Sequence, residues 1–148
     1  MALFVSVWAA CTTMHNIPTL NGIIASGQKT SETSKSCRTL TCSSSYLTSV
    51  TAIKGLVDVN QYCKPATGCK VIVYRQVGTQ YTKIGEVAVP CGSSFSTSPK
   101  TITLPANTYP CNNETYCVSA EVTLLNSASS NPICGISYTS GSATFNCN

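Results

Sequence analysis

Alternation of apolar and polar residues marks the clearest predicted strand of the chain, between residues 115 and 124. The apolar positions share one parity, and they are Tyr116, Val118, Ala120, Val122 and Leu124. The intervening positions are mostly polar, and they are Thr115, Cys117, Ser119, Glu121 and Thr123. Because successive side chains of a strand point to opposite faces, this pattern predicts a half-buried strand.

A second pair of strands is predicted upstream of this segment. Lys70–Val77 is apolar on both faces near its middle, and the turn formers Gly78 and Thr79 lead from it into Tyr81–Val89. Two such runs separated by a short turn are typical of a β-hairpin. In the second run the apolar parity changes at Gly85, which predicts a β-bulge there.

Two further segments have strand patterns. Ile102 and Leu104 mark a strand that ends at Pro105. Tyr46–Val59 is longer, its apolar parity changes part-way along, and it contains Gly55, so we expect it to bend. No window of the chain shows a helical period, and these patterns together predict an all-β protein.

The C-terminal segment predicts one more hairpin. Ser140 and Gly141 suit a two-residue turn. Counting outward from that turn places Cys134 opposite Cys147, at a pair where antiparallel strands approach closely, so we predict a disulfide between them. The apolar residues of both strands fall on one face, and they are Ile136, Tyr138, Ala143 and Phe145.

The first ten residues, MALFVSVWAA, are apolar on both faces of an extended strand. Leu3, Val5 and Val7 share one face, and Phe4 and Trp8 lie on the other. Ten residues are too few to span a bilayer as a helix. Three interpretations stay open: the remnant of a secretory signal peptide, a core strand of the same chain, or a strand donated to a neighbouring subunit.

A polar stretch, SGQKTSETSKS, follows over residues 26–36 and contains no large apolar side chain. Such a composition predicts an exposed linker. The linker divides the chain into an N-terminal extended arm, residues 1–36, and a β-domain, residues 37–148, that ends in the predicted hairpin.

Ten cysteines among 148 residues indicate an oxidising compartment, because structural disulfides are rare in reducing cytosol. The number is even, so every cysteine can be paired. They are Cys11, Cys37, Cys42, Cys63, Cys69, Cys91, Cys111, Cys117, Cys134 and Cys147. We therefore predict a disulfide-stapled extracellular protein, either secreted or at the cell surface.

Two pairs of cysteines have the spacing of local loops. Cys63 and Cys69 enclose five residues that include turn formers, and so do Cys111 and Cys117. Each of these pairs is a candidate for a disulfide that closes its own loop.

The cysteines of the segment CRTLTC are predicted to bond elsewhere. Cys37 and Cys42 are separated by an odd number of positions, so on a strand they point to opposite faces and do not bond to each other. Cys11 and Cys91 are candidate partners, and the choice between them stays open.

Few residues are suited to catalysis or to binding a cofactor. Only 9% of the residues are charged, and the single histidine, His15, lies in the predicted arm. No carboxylate pair or nucleophile motif is present. The only cysteine spacing in the zinc-knuckle range is Cys37–Cys42, and it has no second knuckle or pair of histidines to complete a site. We therefore predict no enzyme activity, cofactor or metal site. His15 is interpreted as an exposed or packing residue. The net charge of +4 is spread without a basic cluster, which argues against nucleic acid as a partner.

A glycosylation signal occurs at Asn113, which begins the sequence Asn-Glu-Thr. This triplet is the acceptor pattern for N-linked glycans in secreted proteins. Asn113 is therefore a candidate glycan site.

An apolar strand, a turn, a Tyr-x-Val-x-Ala strand and an Asn/Ser-rich loop succeed one another in TITLPANTYPCNNETYCVSAEVTLLNSASSNP. This order resembles the end of a fibronectin type III or related immunoglobulin-like domain. In that resemblance Tyr116, Val118 and Ala120 occupy the Tyr-x-Val-x-Ala strand, and Val71–Val89 is the preceding hairpin. It covers about residues 37–139 and implies an immunoglobulin-like β-sandwich. The cysteines and the C-terminal hairpin depart from the family pattern.

Two functions are consistent with these patterns. The first is an extracellular structural protein, a self-assembling fibre or pilus-like subunit. Its apolar N-terminal strand, with Leu3, Phe4, Val5, Val7 and Trp8, would complete a neighbour by donor-strand assembly. The alternative is a secreted monomeric binding or adhesion module whose N-terminus is a signal-peptide remnant.

Overall fold

The computed structural model describes residues 11–24, 30–53, 57–59, 66–89, 99–124, 134–138 and 141–148. All of the regular secondary structure in these ranges is β-strand, which confirms the all-β prediction. The strands are β1 Cys11–Ile17, β2 Leu20–Ile24, β3 Thr30–Glu32, β4 Ser36–Ile53, β5 Val57–Val59, β6 Ala66–Val77, β7 Gln80–Val89, β8 Lys100–Thr103, β9 Pro110–Leu124, β10 Cys134–Tyr138 and β11 Gly141–Cys147. All of their pairings are antiparallel.

Eight of the described strands form one hydrogen-bonded sheet with the order β1-β11-β4-β9-β6-β7, to which β3 adds beside β9 and β8 beside β4. The other three form a small sheet with the order β2-β10-β5. The predicted Tyr46–Val59 strand is therefore divided, because β4 ends in the large sheet and β5 lies in the small one.

The long strand β4 joins two groups of strands. Its residues 36–46 pair with β9, whereas residues 47–53 pair with β11 and β8. The register with β9 shifts between Thr41 and Tyr46, and Ser44 has a φ of 57°. A bulge of this kind bends a strand, which allows one strand to serve both groups.

The two groups share a single hydrophobic core. Its larger buried members are Ile17, Leu40, Leu47, Val50, Val71, Val73, Ile102, Tyr116, Val118, Val122 and Phe145. The rings of Tyr116 in β9 and Phe145 in β11 lie 6.4 Å apart, although these two strands are not hydrogen-bonded neighbours. The predicted burial of Tyr116, Val118, Ala120 and Val122 is confirmed.

The predicted hairpin of β6 and β7 is present, with its turn at Gly78 and Thr79. Gly78 has a φ of 62°, a conformation that glycine adopts without steric strain.

The predicted bulge in β7 is confirmed as well. Val73 pairs with Gly85 and the next residue, Tyr74, pairs with Lys83, so Ile84 is the extra residue. A Cβ atom on Gly85 would lie 2.6 Å from the Cγ2 atom of Ile102, so the bulge brings the backbone of β7 directly against β8.

The predicted C-terminal hairpin is wrong. β10 pairs with β2 and β5 in the small sheet, and β11 lies between β1 and β4 in the large one. Because both edges of β11 are occupied, it has no edge left for β10. The alternation along β11 is nevertheless as expected, since Ala143 and Phe145 are buried.

The predicted exposed linker is wrong over residues 30–36. β3 pairs with Thr123, Val122 and Glu121 of β9, and Thr33 is buried. A polar residue can be buried here because its polar atoms have hydrogen-bond partners. For example, the backbone N–H of Ala120 donates to the Thr33 hydroxyl. The predicted boundary between residues 36 and 37 falls inside β4.

The proposed assembly strand, with Leu3, Phe4, Val5, Val7 and Trp8, lies outside the described residues. The first described strand, β1, belongs to the large sheet through its pairing with β11.

Candidate functional site: the groove beside β1

β1 stands at one end of the strand order of the large sheet. It pairs with β11 over all seven of its residues without a register shift. It carries no Asp, Glu, Lys or Arg, and its Met14 side chain is 69% exposed. Among the described strands, β1 is therefore a regular terminal strand whose own side chains carry no formal charge; the one charged contact described for it is from Arg38 of β4, which donates to the Met14 carbonyl oxygen.

β7 stands at the other end of the same order and has a different character. It contains the bulge at Ile84, and Lys83 and Glu86 form an ion pair at 3.2 Å on its exposed surface. Bulges and charged side chains are the features by which edge strands resist the addition of further strands. Of the two edges, β1 is thus the less protected.

A groove of about 410 Å³ lies between β1 and the beginning of β4. It is lined by Met14, His15, Asn16, Ser36 and Arg38. The alternation of β1 contributes to its shape, because Met14 and Asn16 are exposed whereas His15 is half-buried between them. We call this cavity the β1–β4 groove.

His15 is held by contacts on two sides. Its Nε2 atom lies 2.5 Å from the Ser36 hydroxyl oxygen, and its ring stacks on Phe145 with 6.3 Å between centroids. Burial lowers the pKa of His15, and the nearby positive charge of Arg38 lowers it further. A hydrogen bond with Ser36 raises the pKa, but this effect is smaller than the other two. The ring is therefore mainly neutral at pH 7, and Nε2 can accept the Ser36 hydroxyl proton.

Arg38 supplies the positive charge of the groove. Its Nη1 atom donates to the Met14 carbonyl oxygen at 3.4 Å. The ion pairs among the described residues are Lys35–Glu32, Lys70–Glu86, Lys70–Glu121, Arg75–Glu114 and Lys83–Glu86. Arg38 takes part in none of them and has no carboxylate partner among the residues that the structure describes.

Disulfides tie both walls of the groove to the body. Cys11 at the start of β1 is bonded to Cys42 in β4. Cys11 was one of the two candidate partners that the sequence offered for the cysteines of CRTLTC. Cys37, which lies between Ser36 and Arg38, is bonded to Cys117 in β9. These bonds restrict the movement of the two backbones that carry the lining side chains.

Two predicted cysteine pairs are wrong. Cys147 is bonded to Cys111 rather than to Cys134, because β10 and β11 lie in different sheets. Cys117 pairs in register with Cys37, and six extended residues separate it from Cys111 by about 20 Å.

The remaining cysteines are only partly described. Cys69 is disulfide-bonded, and no free cysteine occurs among the described residues. The predicted Cys63–Cys69 pair and any role of Cys91 fall on residues outside the described ranges.

The groove lacks the other groups that common catalytic sites require. A Ser–His pair acts as a nucleophile when a third group, usually a carboxylate, orients the histidine, and the described lining residues include no carboxylate. Within the described ranges no group of three or more His, Cys, Asp and Glu side chains is placed to hold a metal ion. No helix in those ranges is long and apolar enough to cross a membrane.

Asn113, the candidate glycan site, is exposed on β9 and has a φ of 57°. It lies where the register between β4 and β9 shifts, since Leu40 pairs with Glu114 and Thr41 pairs with Asn112. The acceptor therefore projects from a strand bulge and not from the cysteine-closed loop that the sequence suggested.

Ser36 and Arg38 were not singled out from the sequence. They flank Cys37 on a strand, so they share one face, and that parity was the available signal. His15 and Ser36 are 21 residues apart in the chain, so no local sequence pattern could predict their contact.

The sequence matches no protein-family model and no curated protein.

Proposed function

We propose that this chain is an extracellular structural protein whose copies assemble by strand addition, residues 2–10 of one copy pairing with the outer edge of β1 in the next. The observation that carries the proposal is that β1 is a regular strand with no charged side chain of its own, in a sheet whose other described end is bulged and charged. Strand addition at an open edge supplies backbone hydrogen bonds to the incoming segment.

The attachment of the proposed donor segment supports this mechanism. The segment is continuous in sequence with Cys11, which is bonded to Cys42 and paired with Cys147. Residues 2–10 span about 30 Å when extended, which is enough to follow the whole length of a strand such as β1. The donor thus starts from a point that is covalently held in its own body.

The same proposal places the protein outside the cell and gives Asn113 an N-linked glycan. The described disulfides are compatible with an oxidising compartment. The exposure of Asn113 on a bulge is favourable for enzymatic access.

The fold type in this proposal is an immunoglobulin-like β-sandwich. The shared core of the two strand groups supports it, as does the Tyr116 hydroxyl, which donates to the Pro110 carbonyl oxygen six residues upstream. A backward bond of this kind resembles the tyrosine corner of such domains. One departure from the immunoglobulin pattern, in which the conserved disulfide joins the two sheets, is that Cys37–Cys117 joins neighbouring strands of one sheet.

Deletion of residues 2–10 tests strand addition while leaving Cys11 and its disulfide in place. We expect the shortened chain to fold and to sediment as a monomer, whereas the full chain forms polymers. Sedimentation velocity and electron microscopy measure this difference. Polymers that are unchanged by the deletion would rule out this mechanism of assembly.

A pair of point variants locates the acceptor edge. Met14→Lys introduces a charge beside β1, and Val77→Lys introduces the same charge at the β6–β7 turn, where the native side chain is 64% exposed. We expect Met14→Lys to reduce polymer formation and Val77→Lys to leave it intact, since charges on an edge oppose strand addition. Equal effects of the two variants would place the acceptor elsewhere.

The second candidate function is a monomeric secreted binding module, which the β1–β4 groove favours. N-terminal sequencing of the native protein separates the two candidates. Cleavage near Ala10 removes the donor segment and supports the module, whereas retention of Ala2 supports assembly.

A further inference from the structure

The positive charge in the β1–β4 groove differs from most of the other described cations, because of these only Arg38 and the exposed Lys100 have no described ion pair. Lys35, Lys70, Arg75 and Lys83 each contact a glutamate within 4.0 Å. Arg38 instead faces a concave surface, and none of the described residues that line it is acidic. An anion that entered the groove would therefore meet an uncompensated guanidinium and no repelling carboxylate from the lining.

The polar groups around Arg38 complement an anion. A guanidinium presents parallel N–H donors that match the two oxygens of a carboxylate, phosphate or sulfate. Ser36 adds a hydroxyl, and Asn16 adds a side-chain amide on the opposite wall. His15 belongs to the same lining, and the positive charge of Arg38 contributes to the lowering of its pKa.

The walls of the groove are also covalently restrained. Cys11–Cys42 ties β1 to β4, and Cys37–Cys117 ties the Ser36–Arg38 segment to β9. Binding groups on restrained backbones lose less conformational entropy when a ligand arrives. The site is thus organised in advance on both sides.

From these observations we infer that the β1–β4 groove binds a small oxyanion group, with Arg38 as the charged donor and Ser36 and Asn16 as neutral donors. The shared ligand chemistry is a carboxylate, as in an acidic sugar, or a phosphate or sulfate group. This inference goes beyond self-assembly and does not depend on it, because it concerns side chains that are present in a single copy.

The single histidine provides a direct test, since its imidazole signals in a proton NMR spectrum belong to one residue. Inorganic phosphate, sulfate and glucuronate are titrated separately at constant ionic strength, with chloride as the control anion, into the full chain and into the chain without residues 2–10, which is expected to stay monomeric and to give narrow ring signals. We expect a saturable shift of the His15 ring signals with at least one oxyanion. We also expect the pKa of His15 to rise, because the bound anion offsets the charge of Arg38.

Matched variants assign the effect to the groove. Arg38→Gln removes the proposed donor, and Lys100→Gln removes the same charge from an exposed position at the start of β8. We expect Arg38→Gln to weaken binding about 10- to 100-fold, as for loss of a charge-assisted hydrogen bond, and Lys100→Gln to leave it unchanged. The relative affinities of glucuronate, phosphate and sulfate identify which source of oxyanion the site prefers.

The outcomes separate this inference from the proposed assembly. Absence of a saturable shift with all three oxyanions, or equal weakening by both variants, overturns the anion site and leaves strand addition standing. Loss of polymers after deletion of residues 2–10 bears on assembly alone, because the deletion leaves the groove residues in place.

Discussion

Glu32 shows how one side chain can hold a polar segment against the sheet. Its Oε1 atom accepts hydrogen bonds from the Tyr74 hydroxyl at 2.7 Å and the Ser119 hydroxyl at 2.5 Å. Ser119 is fully buried, so this carboxylate satisfies a hydroxyl that has no access to water. Lys35 completes the group, with its ammonium 4.6 Å from the ring centre of Tyr74 and 5.2 Å from that of Tyr81.

Tyr74→Phe is predicted to lower the free energy of unfolding by about 1–2 kcal/mol, because it removes a hydrogen bond to a charged acceptor. Tyr81→Phe is the matched control, since its hydroxyl contacts only the exposed amide of Gln76 at 3.4 Å among the described contacts. Both variants keep the aromatic ring beneath Lys35. Urea denaturation at pH 7 measures the two effects, and equal losses would contradict the role given to Glu32.

The same variant is predicted to change stability at alkaline pH. Burial first, and then the bond to Glu32, raises the pKa of Tyr74 to about 12. The unfolded chain loses this proton near pH 10, before the folded chain does, so stability falls as pH rises from about 10 to 12. Denaturation curves should show a smaller fall in Tyr74→Phe, while Tyr116, whose pKa is also raised to about 12, retains its own contribution.

At the scale of the strand, β7 depends on its bulge for contact with β8. The extra residue, Ile84, shifts the register and leaves Gly85 facing Ile102 and Leu104. A side chain of any size at this position would enter space that those two residues occupy. The parity change in the sequence therefore indicated a bulge, but the close approach of a second strand explains why glycine is required there.

Gly85→Ala is predicted to destabilise the protein by about 1–3 kcal/mol, the usual range for overpacking a core. The new Cβ atom would lie 2.6 Å from Ile102 Cγ2 and 3.3 Å from Leu104 Cδ2. Ile102→Ala removes the nearer atom, so the double variant should lose less stability than the sum of the two single variants. Additive losses in thermal denaturation would show that the contact does not limit this site.

For the molecule as a whole, the described disulfides link four strands in series. Cys11–Cys42 joins β1 to β4, Cys37–Cys117 joins β4 to β9, and Cys111–Cys147 joins β9 to β11. Backbone pairing between β1 and β11 completes a closed circuit. Two of these links, Cys11–Cys42 and Cys111–Cys147, cross between the two groups of strands, so they restrain the arrangement around the core and not just single loops.

Removal of Cys37–Cys117 is predicted to be more damaging than removal of Cys11–Cys42. The first bond closes a sequence separation of 80 residues and the second a separation of 31. In the chain-entropy model the longer loop contributes about 0.8 kcal/mol more, within a usual total of about 2–5 kcal/mol for either bond.

The comparison uses Cys37→Ala with Cys117→Ala in one variant and Cys11→Ala with Cys42→Ala in the other, so that no lone thiol remains. Urea denaturation of both gives the free energies of unfolding. A larger loss from the Cys11–Cys42 variant would show that anchoring β1 matters more than loop length.

The sequence alone determined which positions of each strand face the core. The parity of Tyr116, Val118 and Ala120 predicted burial correctly, and the parity change at Gly85 predicted the bulge. Both signals are local, because side-chain direction in a strand repeats every two residues whatever the strand pairs with.

Only the tertiary structure decided which strands and cysteines are neighbours. β11 had the expected alternation but lies between β1 and β4, so Cys147 meets Cys111 and not Cys134. The β1–β4 groove arises in the same way, since His15 meets Ser36 and Arg38 across distant parts of the chain. Alternation specifies the face that a strand buries, whereas its partners depend on how all the strands share one core and one set of edges.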